Sequence, residues 1–194
     1  MNRAALHWLG RSLTMAIVVA VVTACSGESA IGPSPGSVAN TEFSHKVDLV
    51  PDLGICSDLQ VPAGSTLVYH VYARGVQIYR WNGTSWLPVG PSAQLFADPQ
   101  EQSLVGIHYG RPTWETLSGS KVIGEVAKRC TFDPTAVQWL RLTAKSTAGP
   151  GVFDQVQHIL RLNTVGGVAP SSPGTTGQEV SIPYSTEYFF YRAR

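Results

Sequence analysis

Between Val105 and Glu115 the chain reads VGIHYGRPTWE, which gathers an imidazole, a phenol, a guanidinium, an indole and a carboxylate within eleven residues. A hydrolase would set His108 with Glu115, Asp98 or Asp154 for acid-base work, and would take a serine from Ser118 or Ser120. An activated serine needs a base within hydrogen-bond reach and, on a strand-turn-helix scaffold, a Gly-x-Ser-x-Gly elbow that exposes the hydroxyl. No such elbow is present, and Ser118-Gly119-Ser120 has turn chemistry. His45, His70 and His158 fall on separate segments, none in a His-x-x-x-His or Glu-flanked spacing, so neither a metal nor a cofactor is expected. The mixture of hydrogen-bond donors and flat apolar area in His108, Tyr109, Arg111 and Trp114 suits contact with an oriented polar ligand, and no catalytic residue is assigned. Two uses of His108 stay open, a buried histidine holding the turn and a ligand-contacting one. Gly110 and Pro112 restrict the backbone in opposite ways, so the stretch is expected to be a shaped turn rather than a strand.

A second aromatic group lies at Tyr79, Trp81 and Trp86, around Asn82-Gly83. Asn-Gly suits the two positive φ values of a type I′ hairpin turn. A two-residue loop would pair Trp81 with Thr84, Tyr79 with Trp86 and Ile78 with Leu87. Tyr79, Trp81 and Trp86 then share one face, while Val76, Ile78 and Leu87 form an aliphatic face suited to a core. The aromatic face would close the core or serve as a stacking platform for a sugar ring. Together with the 105–115 turn it is the expected ligand surface, with Trp114 and Trp81 or Trp86 as walls.

The elements that must carry these residues show period-two patterning broken by turn residues every eight to twelve positions. Thr66 to Tyr72, Val76 to Trp81, Lys121 to Val126, Trp139 to Thr143, Val152 to Leu162, Val180 to Ile182 and Tyr188 to Tyr191 read as strands. Phe153 to Asn163 also fits a helical face, and strand is preferred there. Arg161 and Asn163 read as a polar strand end feeding the Gly166-Gly167 loop. Tyr184, Tyr188 and Tyr191 with Phe189 and Phe190 read as a terminal strand docking one side on the core. The expected fold class is all-β, a single-domain antiparallel sandwich or flattened barrel.

The first residues carry an address. Arg3 and Arg11 precede an apolar run, Leu13 to Val22, that is too short for a bilayer span and has the layout of an export signal. It ends in Val22-Thr23-Ala24-Cys25, which resembles the lipobox of bacterial lipoproteins and implies a diacylated Cys25, a two-chain anchor that holds stably. Residues 1–24 are therefore expected as a signal peptide, 25–41 as a Ser-, Gly- and Pro-containing tether, and 42–194 as the domain. The expected location is the bacterial cell envelope, lipid-anchored and extracytoplasmic, on the outer membrane if the host has one. With Arg3 and Arg11 removed, 12 of the 14 basic residues face 13 acidic ones. No basic patch remains, and a nucleic-acid partner is not expected.

Read together, GVQIY at Gly75 to Tyr79, Trp86, Gly106-x-His108-Tyr109, Pro112-Thr113-Trp114, Gly119-Ser120, Trp139-Leu140, Arg161-x-Asn163-Thr164-x-Gly166-Gly167, Pro170 and Pro183-Tyr184 leading to Tyr188-Phe189-Phe190-Tyr191 resemble the domain of unknown function 3455 family of bacterial and fungal proteins. The resemblance implies one compact domain and brings no activity, ligand or catalytic residue with it. Relatives usually carry a cysteine after GVQIY and another after the Gly-Gly-x-x-Pro segment, where this chain has Arg80 and residues near Pro173. That departure implies a lost disulfide, with Cys56 and Cys130 as its replacement. Export points the same way, since these are the only thiols besides the acylated Cys25 and would meet an oxidising compartment. The function expected is a lipid-anchored module that binds a small molecule or carbohydrate. An envelope hydrolase using His108 and Glu115, or a purely structural envelope protein, are the alternatives.

Overall fold

The computed structural model describes residues 49–193. The signal peptide, the tether, Cys25, His45 and the expected domain start at residue 42 lie outside the described residues. Eight strands follow a short 3-10 helix, Gly54–Leu59: β1 Ser65–Trp81, β2 Trp86–Phe96, β3 Leu104–Tyr109, β4 Thr113–Thr116, β5 Lys121–Cys130, β6 Trp139–Ala148, β7 His158–Gly166 and β8 Glu179–Ala193. Each pairs antiparallel with its neighbour in sequence, and β8 returns to β1, so the sheet closes into an eight-stranded meander barrel. The all-β expectation holds, as a barrel rather than two open sheets. Closure gives every strand two neighbours and leaves only short stretches of edge.

Alternation decides what is inside. Val71, Ala73, Leu95, Trp114, Val122, Leu142, Ile159, Tyr188 and Phe190 form the inner core. The end between β6 and β7 is stoppered by Phe153, whose ring lies 4.6 Å from Phe190 and whose amide donates to Ser120 Oγ at 3.1 Å. Residues 152–157 are therefore a turn-rich plug preceding β7, neither the helix nor the strand that periodicity offered.

A second cluster lies on the outside of the barrel. Leu53, Cys56, Leu59 and Val61 cover Leu160, Leu162, Phe189 and Tyr191 together with Trp139. Cys56 and Cys130 are disulfide-bonded, with Cα atoms 5.7 Å apart, and the bond ties this covering segment to the end of β5. It explains the unbroken Tyr188-Phe189-Phe190-Tyr191 run. Residues 188 and 190 point inward while 189 and 191 lie under the N-terminal segment, so both sides of β8 are buried, not one.

Three expectations fail for local reasons. Val105 to Glu115 is a hairpin of two strands, with the irregular backbone confined to residues 110–112, where Arg111 takes φ 61°. The Asn82-Gly83 loop spans four residues. Asn82 Oδ1 accepts from the Thr84 and Ser85 amides, and the pairs become Trp81 with Trp86, Arg80 with Leu87 and Tyr79 with Pro88. The two-residue offset keeps Tyr79, Trp81 and Trp86 on one side but reverses the assignment of faces. Gln77 and Tyr79 continue the inward row of β1, while Leu87, expected in a core, is 49% exposed. β2 itself escapes period-two reading because Pro88, Gly90 and Pro91 interrupt it. Pro88 and Pro91 are tolerated because β3 pairs with β2 only from Ser92 onward, which leaves that part of β2 with one partner.

Candidate functional site

Strand alternation splits the 105–115 hairpin into two surfaces. His108 and Trp114 are directly opposite, point inward, and are 2% and 1% exposed. Their rings stack at 4.4 Å, and Tyr188 packs edge-on against both. Thr113 O is 2.8 Å from His108 Nδ1 and, being a carbonyl, can only accept, so Nδ1 carries the proton. Burial pushes the His108 pKa down to about 3, so the ring is neutral. This is the histidine that holds its turn. Trp114 has no face left for a ligand to stack on.

The outward side differs. The Tyr109 hydroxyl donates to Glu115 Oε2 at 2.7 Å, and Lys121 Nζ lies 3.1 Å from the same oxygen. The tyrosine hydrogen bond, followed by that from the lysine, holds the Glu115 carboxyl below the usual carboxylate range. His108 and Glu115 thus sit on opposite sides of the same two strands, and the arrangement gives no shared acid-base pair.

Of these outward residues Tyr109 borders an open depression of about 390 Å³ across β1, β2 and β3. Register explains its shape. Gly75, Ala93 and His108 are aligned neighbours, and because this row has no outward side chain, its backbone forms the floor. Arg74, Gln94 and Ile107 stand in the next row on one side, and Ser92 and Tyr109 on the other. Gly75 is required here, since a Cβ would come within 2.2 Å of the Ser92 carbonyl oxygen. Arg74 Nε donates to Glu101 Oε1 at 2.6 Å, so the one cation on the rim is already paired.

The other expected site residues lie elsewhere. Arg111 is exposed at the tip of the β3–β4 turn. Trp81 and Trp86 pack edge-on at 5.3 Å, and Trp86 Nε1 donates to Ser172 O in the loop before β8. Trp81 is six positions along β1 from Gly75, roughly 20 Å at strand rise. The Tyr79 hydroxyl donates to Gly167 O at the barrel end that Phe153 does not fill. The structure therefore joins Tyr109 and the His108 backbone to Arg74, Ser92, Gln94 and Ile107, which sequence reasoning missed. It separates them from the tryptophan hairpin.

The histidines do not converge. His70 Nε2 is 2.7 Å from Glu187 Oε2 with its ring stacked on Phe189, whereas His158 pairs with Thr143 and Tyr191 on β6 and β8. Among the described residues no group of three or more His, Cys, Asp or Glu side chains could hold a metal ion.

No curated protein and no solved structure matches the chain. Residues 62–192 match a family described as protein of unknown function, DUF3455. That span runs from just before β1 almost to the end of β8 and takes in every strand described above, so the chain belongs to the DUF3455 family.

Proposed function

We propose that this protein is a lipid-anchored binding module of the bacterial envelope that holds a carbohydrate or similar small polar ligand in the depression across β1, β2 and β3. The observation that carries the proposal is the depression itself. Its backbone floor is flanked by Ser92, Gln94 and Arg74 as hydrogen-bonding groups and by the Tyr109 ring and Ile107 as apolar area. That mixture on a rigid sheet suits a ring bearing hydroxyls, which needs oriented polar partners and a flat surface together. The neutralised Arg74 favours an uncharged ligand over an anion. Support for the anchor comes from the Val22-Thr23-Ala24-Cys25 sequence.

The test is a melting-temperature screen of the full chain against neutral oligosaccharides and soluble peptidoglycan fragments, repeated with Tyr109→Ala, Gln94→Ala and Trp81→Ala. A response lost in the first two variants and kept in the third is expected. A response lost only with Trp81→Ala would move the site to the hairpin, and none in the parent protein would remove the proposal. For the anchor, Cys25→Ser should release the protein from membranes on cell fractionation, and unchanged partitioning would refute it.

A further inference from the structure

The unstoppered end of the barrel interior contains side chains whose polar atoms folding has buried but not paired. Gln77, Tyr184 and Tyr188 are 8%, 3% and 1% exposed. Gln77 Nε2, Tyr184 Oη and Tyr188 Oη have no hydrogen-bond partner within 3.5 Å among the described residues, and neither has Trp114 Nε1 in the ring stack next to Tyr188. Tyr184 nevertheless lies near enough to Gln77 and Tyr188, and Tyr188 near enough to Arg161, to feel their polar atoms. A buried polar group without a partner is costly, and most native proteins avoid it. Here several fall in one region, and all can donate.

A cation lies among them. Arg161 is directly opposite Tyr188 and follows the inward Ile159 by two residues, so it faces the interior. Its Nε and Nη2 donate to Gln138 O at 3.1 and 2.7 Å, which turns the guanidinium toward this end of the barrel. Burial raises the pKa of Tyr79, Tyr184 and Tyr188 and lowers that of His108, and the Arg161 charge opposes the rise at the three tyrosines and adds to the fall at His108. Gly167 forms the cover. A Cβ there would come within 2.8 Å of the Tyr184 Cβ and 3.1 Å of the Gln77 Cγ, so the loop lies directly on the cluster.

We propose that Gln77, Arg161, Tyr184 and Tyr188 form an internal site for a small monovalent carboxylate, separate from the depression on the outer face. Every unpaired group named can donate a hydrogen bond, so the complementary ligand is an acceptor. The single guanidinium, planar and forked, matches a carboxylate. His108, packed against Tyr188, is neutral and adds no second positive charge, so a dianion such as sulfate would leave a buried charge uncompensated. The Gly167 cover restricts the ligand to a small one.

The test is calorimetric titration of the full chain at pH 7 with acetate and formate, with sulfate as the contrasting ion at matched ionic strength. Saturable binding of acetate or formate is expected, with sulfate weaker by tenfold or more. Tyr184→Phe and, separately, Tyr188→Phe keep the ring and remove only the hydroxyl, and each should weaken carboxylate binding several-fold. Absence of saturable binding in the parent protein would overturn the proposal, as would equal affinity for sulfate or binding unaffected by either variant. Each outcome is independent of the oligosaccharide response assigned to the outer depression.

Discussion

The two surfaces of the β3–β4 hairpin are built from alternate residues of one short sequence, yet they do opposite work. Inward, His108 and Trp114 stack in the barrel core, almost without exposure. Outward, Tyr109 and Glu115 are partly exposed, hydrogen-bonded to one another, and next to a depression. A cluster of chemically capable residues in sequence is therefore not a cluster in space. On a strand, the period of two divides it before any chemistry can be assigned.

The largest expected effects come from breaking the inward side. Trp114→Ala should destabilise the fold by about 3 to 5 kcal/mol, as measured by urea unfolding, because the cavity lies between His108, Tyr188 and Phe190 and cannot collapse. A loss below about 1 kcal/mol would mean that the tryptophan is not core. Comparable in size is the staple over the outer cluster. Replacing Cys56 and Cys130 together with Ser should cost about 4 kcal/mol, from the chain entropy of a loop with a sequence separation of 74.

His108 should also give the inward side a pH signature. Its folded pKa, about 3, lies below the ordinary value of 6.5, so the unfolded chain binds the proton more readily. Its contribution to stability is complete above about pH 6.5 and is lost as pH falls toward 3. Between pH 7 and pH 5 the loss should be about 2 kcal/mol. His158 is shifted down by partial burial and acts in the same direction, so the comparison is best made in a His158→Gln background with and without His108→Gln. The slope should flatten when His108 is removed, and an unchanged slope would contradict its burial as a neutral ring.

How far this division could be read in advance depended on the segment. The all-β class, the strands at Lys121 to Val126 and Trp139 to Thr143, and the Cys56–Cys130 bond were legible because each rests on local patterning or on elimination. The inside of β1 was not. Its inward row runs through Ala73, Gly75, Gln77 and Tyr79 to a polar end, while the more apolar Val76 and Ile78 face outward, so hydrophobicity pointed to the wrong face. The depression was hidden for another reason. It depends on the alignment of Gly75, Ala93 and His108 from three strands, one of them disguised by prolines. Arg161, Tyr184 and Tyr188 were visible as residues, but their proximity follows only from barrel closure.

The smallest stability effects belong to the outward side. Tyr109→Ala should change the unfolding midpoint little, within about 1 kcal/mol, because the side chain is partly solvated and its hydroxyl bonds a carboxylate that is itself partly exposed. Ligand response should fall all the same. A loss of stability as large as that of Trp114→Ala would erase the distinction between the two faces.

The division is tested most directly by hydroxyl-radical footprinting of the full chain, alone and with neutral oligosaccharides or soluble peptidoglycan fragments at millimolar concentration. In the protein alone, Tyr109 and Ile107 should be labelled while His108 and Trp114 are protected. With ligand, protection should extend to Tyr109 and Ile107 and leave Trp81 and Trp86 unchanged. Labelling of Trp114 in the protein alone, or ligand protection at Trp81 and Trp86 with none at Tyr109 and Ile107, would contradict the assignment of one face to the core and the other to binding.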